Sequence, residues 1–223
     1  MSPDFPGRPP DSVHAERMDR QYRYQRHLYD LTRKYYLFGR DRLLTEISAG
    51  DGHSVLEVGC GTGRNIEFMM RMHPQANYFG LDISKEMLET ANKRFAPIAD
   101  NRPRLLVADA TKFTAGDFGV TGFDRIVISY ALSMIPEWQS AVECALDTLK
   151  PGGSLHVVDF GQQERLPPLV RRLLQAWLRR FHVSPRPDLF EVMRGAAERR
   201  GVTLQTATPY GGYAWLGVAK LPA

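Results

Sequence analysis

Val55-Leu56-Glu57-Val58-Gly59-Cys60-Gly61-Thr62-Gly63-Arg64-Asn65 is the stretch that decides the architecture. A short run of strand-forming residues ends at Val58, and glycines follow at alternate positions, Gly59, Gly61 and Gly63. Glycine enters left-handed backbone conformations without steric cost, so the chain can turn sharply after the strand and pass close beneath a ligand. Downstream, β-branched runs at 78–81, 104–107, 125–129 and 155–158 alternate with helical segments. That alternation predicts βαβ units and a parallel sheet. Pro151-Gly152-Gly153 reads as a turn that stops a helix over 137–149 and starts the fifth strand. Two last runs, 202–208 and 213–220, are joined through Pro209-Tyr210-Gly211-Gly212 and predict a closing antiparallel hairpin.

The 223 residues suffice for one well-buried α/β domain with modest additions. A hydrophobic share of 43% and a charged share of 24% are ordinary for a globular chain. The Pro-rich opening has no apolar signal core, so residues 1–12 read as a disordered leader, 13–50 as a helical N-terminal lid and 51–223 as the ligand-binding domain. No stretch approaches the apolar length of a membrane span. Cys60 and Cys144 are the two cysteines, and their spacing points to neither a disulfide framework nor a metal site. A reducing cytoplasm is the compartment this predicts. The net charge is only +4, yet arginines gather in 17–42 and again in 165–200. Such asymmetry fits an anionic partner, a membrane surface or a nucleic acid, and equally a solvated helix face.

Asp82 follows Gly63 at about the twenty-residue interval at which a Rossmann-type acid meets ribose hydroxyls. An acid ahead of Ser84-Lys85-Glu86 would also suit a plain helix N-terminus. The loop Gly-Cys-Gly-Thr-Gly lacks the Gly-x-Gly-x-x-Gly register suited to a pyrophosphate. Asp109-Ala110-Thr111 stands just past the third run, where an Asp can accept from an adenine amino group. With Phe123–Tyr130 as a fourth strand and Leu149-Lys150-Pro151-Gly152-Gly153 before the fifth, this ordered set resembles the class I S-adenosylmethionine (SAM)-dependent methyltransferases. The resemblance implies a Rossmann-like α/β fold, with a seven-stranded, mostly parallel sheet. It also implies SAM as donor, with S-adenosylhomocysteine as its product. The expected cofactor residues are Gly59, Cys60, Gly61, Thr62, Gly63, Asn65, Asp82, Ile83, Met87, Asp109, Ala110, Thr111 and Ser129. Cys60, with no His or Lys near it in sequence, reads as a small packing residue and not as a nucleophile.

A sulfonium methyl is already an activated electrophile, so such a protein has mainly to align a nucleophile and exclude water. No metal is required, and the scattered histidines His14, His27, His53, His73, His156 and His182 read as surface or packing groups. Methyltransferases of exocyclic base or amide nitrogens carry Pro-Pro-aromatic after the fourth strand, where this chain has Ser129-Tyr130-Ala131-Leu132. An aliphatic amine, which gives up its proton to a modest base or to water, is the favoured acceptor. Tyr130 and Asp159 fall at the carboxyl ends of the fourth and fifth strands and are the candidate catalytic pair. Tyr130 would orient the amine, or simply cover the cofactor; Asp159 would attract the amine's charge or accept its proton.

Residues 166–181 form a basic amphipathic helix by pattern. Leu166, Leu169, Val170, Leu173, Leu174, Trp177, Leu178 and Phe181 fall on one side, and Arg171, Arg172, Arg179 and Arg180 on the other. Such a helix lies in a membrane interface, or packs on the sheet as an ordinary domain helix. The segment from Tyr22 to Tyr36 is dense in aromatics and cations, and its Tyr faces could stabilise a methylated ammonium.

Three stretches outside the generic donor motifs, 24–42, 129–136 and 159–167, resemble the bacterial betaine-lipid N-methyltransferases. That family methylates diacylglycerylhomoserine three times to give diacylglyceryl-trimethylhomoserine. The resemblance implies a diacylglyceryl lipid substrate, peripheral attachment to the inner face of the cytoplasmic membrane, and association with the enzyme that makes the homoserine lipid. It implies no nucleic-acid partner. The Tyr29-Asp30 and Gly39-Arg40 pairs also resemble the front end of quinone C-methyltransferases and phospholipid N-methyltransferases. That likeness places Tyr29 and Arg40 on the cofactor side and makes Tyr29 a third catalytic candidate. Phosphatidylethanolamine N-methylation, quinone C-methylation and nucleic-acid modification stand as alternatives.

Overall fold

A computed structural model describes residues 37–180 and 183–223. The leader 1–12, most of the expected lid including Tyr29, and Phe181 lie outside the described residues. Of the lid, the described part is a short helix α1 (Arg40–Thr45), entered through Gly39 at φ 82° and anchored by the buried Leu43 and Leu44.

The strands are β1 (Ser54–Val58), β2 (Asn77–Asp82), β3 (Arg104–Val107), β4 (Phe123–Ser129), β5 (Leu149–Phe160), β6 (Thr203–Ala207) and β7 (Ala214–Lys220). They form one sheet in the order β3-β2-β1-β4-β5-β7-β6, and β7 alone runs against its neighbours. The expected parallel sheet with a closing antiparallel hairpin is therefore the observed architecture. Between the strands run α2 (Arg64–Met72), α3 (Lys85–Phe95), α4 (Trp138–Asp147), α5 (Pro168–Arg180) and α6 (Leu189–Glu198).

The central strands are apolar on both faces, as a sheet covered on both sides requires. Leu56, Val58, Ile126, Ile128, Leu155 and Val157 point into a core closed by α4 and α6. Val55, Val127, Val158 and Phe160 point into a second core closed by α1, α2 and α3. The fifth strand differs from its expected form. Pairing with β4 resumes at Ser154 after Leu149, so Lys150–Gly153 loop out of the ladder instead of ending a helix at residue 149. The helix ahead of it stops at Asp147.

The strand order reverses direction between β1 and β4. Open sheets bind ligands at the carboxyl ends of the strands beside that switch point, and there the turns after β1, β2, β3 and β4 converge.

Candidate active site

Gly59, Gly61 and Gly63 have φ of 71°, 53° and 77°, values at which a Cβ is strained. Sterics restrict two of them further. A Cβ on Gly59 would stand 2.7 Å from the Ala131 methyl, and one on Gly63 would stand 2.6 Å from the Phe95 ring. The turn is pinned to β2, because the amides of Gly59 and Cys60 both donate to the Leu81 carbonyl, at 2.8 and 2.9 Å. Arg94 of α3 ties it from behind, donating to the Thr62 carbonyl at 2.9 Å while pairing with Glu67 at 2.8 Å.

Asp82 closes this arrangement. One carboxylate oxygen accepts from the Gly61 amide at 2.8 Å and the other from the Ser84 amide at 2.9 Å. An ionised carboxylate offers about four acceptor positions, so these bonds fix its orientation and still suit a pair of ribose hydroxyls. Ser84 caps α3, accepting from the Met87 amide at 3.3 Å. Asp109 is committed locally: one oxygen takes both the amide and the hydroxyl of Thr111, at 2.9 and 2.8 Å, and the other lies 3.7 Å from the Lys112 ammonium.

Two hollows flank the glycine turn. The larger, of about 200 Å³, brings together Gly59, Gly61, Asp82, Ile83, Met87, Asp109, Ala110, Thr111 and Tyr130. Its far wall is the turn after β4, with Ala131, Met134, Ile135, Pro136 and Glu137. The smaller gathers Arg40, Cys60, Thr62, Asn65 and Ser129 with Leu37, Glu57 and Arg64. Gly63 lies in neither hollow, packed against Phe95 as the N-cap of α2. The two hollows suit the two ends of SAM. Ile83, Met87 and Ala110 give the larger one apolar walls for an adenine, with Asp82 at ribose height. The smaller one is lined by Arg40, whose guanidinium pairs with Asp41 at 2.7 Å, and by Glu57, side chains of opposite charge suited to an α-carboxylate and an α-ammonium.

Cys60 is buried, and burial together with Asp82 and Glu57 pushes its thiol well above the usual range. A thiol so protonated is no nucleophile, in keeping with a packing role.

Of the candidate catalytic residues, Tyr130 takes the covering place that was one of its two expected roles, and Asp159 is placed otherwise than expected. Tyr130, at φ 55° and 1% exposed, lines the larger hollow with its ring while its hydroxyl donates to the Phe38 carbonyl. Burial pushes the phenol well up, so it stays a donor to that carbonyl. Tyr130 therefore joins the front end to the site and covers the hollow; its hydroxyl is spent on backbone and does not orient an amine. Asp159 is corrected too. It is 1% exposed, lines neither hollow, and accepts from the Ser133 amide at 3.0 Å and from its own neighbour Phe160 at 2.7 Å. Burial pushes its carboxyl upward. It positions the turn after β4 from below and does not face an acceptor.

Two participants escaped the reading by sequence. Glu57 is 1% exposed and takes the Asn65 amide at 2.6 Å; an acid inside an apolar strand was the signal. Arg186, between two prolines, gave none. It donates to the carbonyls of Leu132 at 3.0 Å and Ile135 at 2.6 Å, and its guanidinium lies 5.9 Å from the Trp138 ring. The Ser184 amide donates to the Ser133 carbonyl at 3.1 Å. Arg186, Ser184 and Asp159 thus grip one wall of the larger hollow from outside. Among the described residues, no group of three or more His, Cys, Asp or Glu is placed to hold a metal ion.

Residues 55–153 match the family model described as a methyltransferase domain. The chain is 29% identical over 163 residues to the ubiquinone/menaquinone biosynthesis C-methyltransferase UbiE of Syntrophotalea carbinolica, covering 71% of this chain and 65% of that protein. It is 26% identical over 200 residues to the mitochondrial ubiquinone biosynthesis O-methyltransferase of Homo sapiens, covering 79% and 51%. The chain thus spans between half and two thirds of these relatives' lengths. Among solved structures, the plantazolicin methyltransferase BpumL, in complex with a triazolic desmethylPZN analogue and S-adenosylhomocysteine, superposes with a TM-score of 0.69 at 14% identity, over 95% of this chain and 98% of that one. Residues 55–153 thus match a methyltransferase domain, and the chain has the Rossmann-like fold of solved methyltransferases.

Proposed function

We propose that this chain is a SAM-dependent N-methyltransferase whose acceptor is the primary amine of a lipid headgroup, the homoserine amine of diacylglycerylhomoserine, methylated three times to the betaine lipid. One observation carries the reading. Of the three stretches that resemble the betaine-lipid N-methyltransferases, 129–136 forms the far wall of the larger hollow and 159–167 begins with the carboxylate that holds that wall. In this reading that wall is the acceptor side, so the specific resemblance supports a choice of substrate made there as well as a donor turn common to many methyltransferases. The third stretch, 24–42, is described only from residue 37; within it, Phe38 takes the Tyr130 hydroxyl and Arg40 lines the smaller hollow.

Bound SAM supplies a sulfonium methyl open to in-line attack. The chain's own residues do the rest by placement. The glycine turn and Asp82 fix the donor, and the buried Tyr130 ring with Ala131 and Met134 excludes water from the adjoining space. Glu137, exposed at the rim of the larger hollow, is the carboxylate on the acceptor side, and it takes the charge-attracting role first given to Asp159. An amine needs no stronger help, since water or a carboxylate can accept its proton.

A second reading, methylation of a quinone precursor, is favoured by the names of the curated relatives. Incubating the protein with labelled SAM and a lipid extract, then weighing the products, separates the two. Gains of one, two and three methyl groups on a homoserine lipid are expected. Label confined to a quinone precursor would establish the second reading, and label found only in RNA or protein would overturn both.

A further inference from the structure

We propose that one face of α5 is a docking surface for an anionic lipid bilayer. The proposal stands on the helix itself and does not depend on which acceptor the cleft takes. Leu178 is buried, and Leu174 and Trp177 pack partly against the core that it joins. The apolar side of the helix, however, is wider than the ground it covers. Leu169, Val170 and Leu173, one turn apart on a continuous stripe, are 70%, 49% and 64% exposed. A domain helix normally turns its apolar stripe inward, so this one presents a surface that water disfavours.

Charge decides what covers it. From Arg165 to Pro187 the chain has six arginines and no Asp or Glu. Arg186 is turned to the wall of the larger hollow. The other five, Arg165, Arg171, Arg172, Arg179 and Arg180, are exposed, and no ion pair holds any of them among the described residues. An apolar stripe edged by cations matches the layered chemistry of a bilayer surface, with acyl chains beneath anionic headgroups. A second copy of the chain would bring its own five arginines against these. A nucleic acid would set phosphates against leucines.

Position links this surface to the cleft. The helix leaves the carboxyl end of β5, and at its start Leu166 lies against Gly211. The neighbouring Tyr210 is 52% exposed, and its ring centre is 5.4 Å from that of Phe38, itself 48% exposed. Phe38 takes the hydroxyl of Tyr130, whose ring lines the larger hollow. An acceptor held in a bilayer under α5 would reach the cleft along this aromatic edge without crossing open water.

The test is sedimentation of the full chain, without methyl donor, on vesicles of phosphatidylcholine alone or with phosphatidylglycerol. At least tenfold tighter binding to the anionic vesicles is expected, falling with added salt. Leu169→Glu with Leu173→Glu should lose at least tenfold of that binding while circular dichroism and SAM affinity stay unchanged. The pair Arg172→Ala and Arg179→Ala should lose the preference for phosphatidylglycerol. Equal binding of the double leucine variant would overturn the proposal, as would indifference to phosphatidylglycerol. So would a leucine variant that keeps its vesicle binding but changes from dimer to monomer in solution. A failed lipid-methylation assay alongside intact vesicle binding would count against the proposed acceptor and leave this surface standing.

Discussion

The two halves of the cleft are built by different means. On the donor half, the side-chain hydrogen bonds that hold the glycine turn come from the next βα unit: Asp82 bonds Gly61 across 21 residues, and Arg94 bonds Thr62 across 32. On the acceptor half, the turn after β4 is held by Phe38, Asp159 and Arg186, whose partners lie 92, 26 and 51 to 54 residues away. A site assembled from near neighbours is rigid and generic. One gripped from distant parts of the chain can change its acceptor without disturbing its donor. The comparison predicts that damage to the first half removes donor binding, and that damage to the second alters turnover while donor binding survives.

The largest effect is expected from Asp82→Ala. The carboxylate aligns the glycine turn through Gly61 and, in the proposed reading, would supply the ribose contacts, and charge-assisted bonds contribute about 2 kcal/mol each. Two ribose bonds lost amount to about 4 kcal/mol, roughly a thousandfold weaker SAM binding by calorimetry. Unchanged affinity would place the nucleoside elsewhere and erase the difference between the halves. Next comes Gly63→Ala. Its φ of 77° and a Cβ position 2.6 Å from the Phe95 ring combine a strained backbone with overpacking. About 3 kcal/mol of stability should be lost in denaturant unfolding.

The late half of the sheet carries a buried imidazole. His156 on β5 is 5% exposed, and its Nε2 lies 2.9 Å from the Ser154 hydroxyl. Burial, with Arg125 nearby, lowers its imidazole from 6.5 to about 4. Between those values the unfolded chain binds a proton that the native fold refuses, so stability falls as pH drops through 6.5 toward 4. The native state should be about 2 kcal/mol less stable at about pH 5 than at about pH 8 from this group alone. His156→Gln should flatten that part of the profile; an unchanged slope would assign it to other groups.

The same division explains what was legible in the sequence. The strand before the glycine turn, the three glycines and the acid some twenty residues on all declare themselves through short spacing, because their partners are close in sequence. The parallel βαβ strands and the closing hairpin followed from alternation, whereas the strand order β3-β2-β1-β4-β5-β7-β6 did not. Tyr130 and Asp159 were rightly placed at strand ends, yet only Tyr130 faces the larger hollow, and the bonds their polar atoms make were not foreseen. Strand position fixes which end of the sheet a side chain occupies and not the backbone group it bonds, and those groups belong to Phe38 and Ser133. Helical spacing showed the two sides of α5, but not that the core would cover only Leu174, Trp177 and Leu178.

Arg186 gives the smallest effect and the sharpest test. Its guanidinium holds the Leu132 and Ile135 carbonyls, yet it touches neither hollow. In Arg186→Ala the turn keeps its Phe38, Asp159 and Ser184 bonds and loses one of four grips. Loosening of this kind should lower kcat/KM for the acceptor about tenfold, or about 1.4 kcal/mol, through a raised KM. SAM affinity should change far less, because the glycine turn and Asp82 keep their bonds. Arg186→Lys, with one cation but no fork, should recover part of the loss. A fall in SAM affinity matching the fall in turnover would mean that the two walls move as one body, and the independence of acceptor from donor would be lost with it.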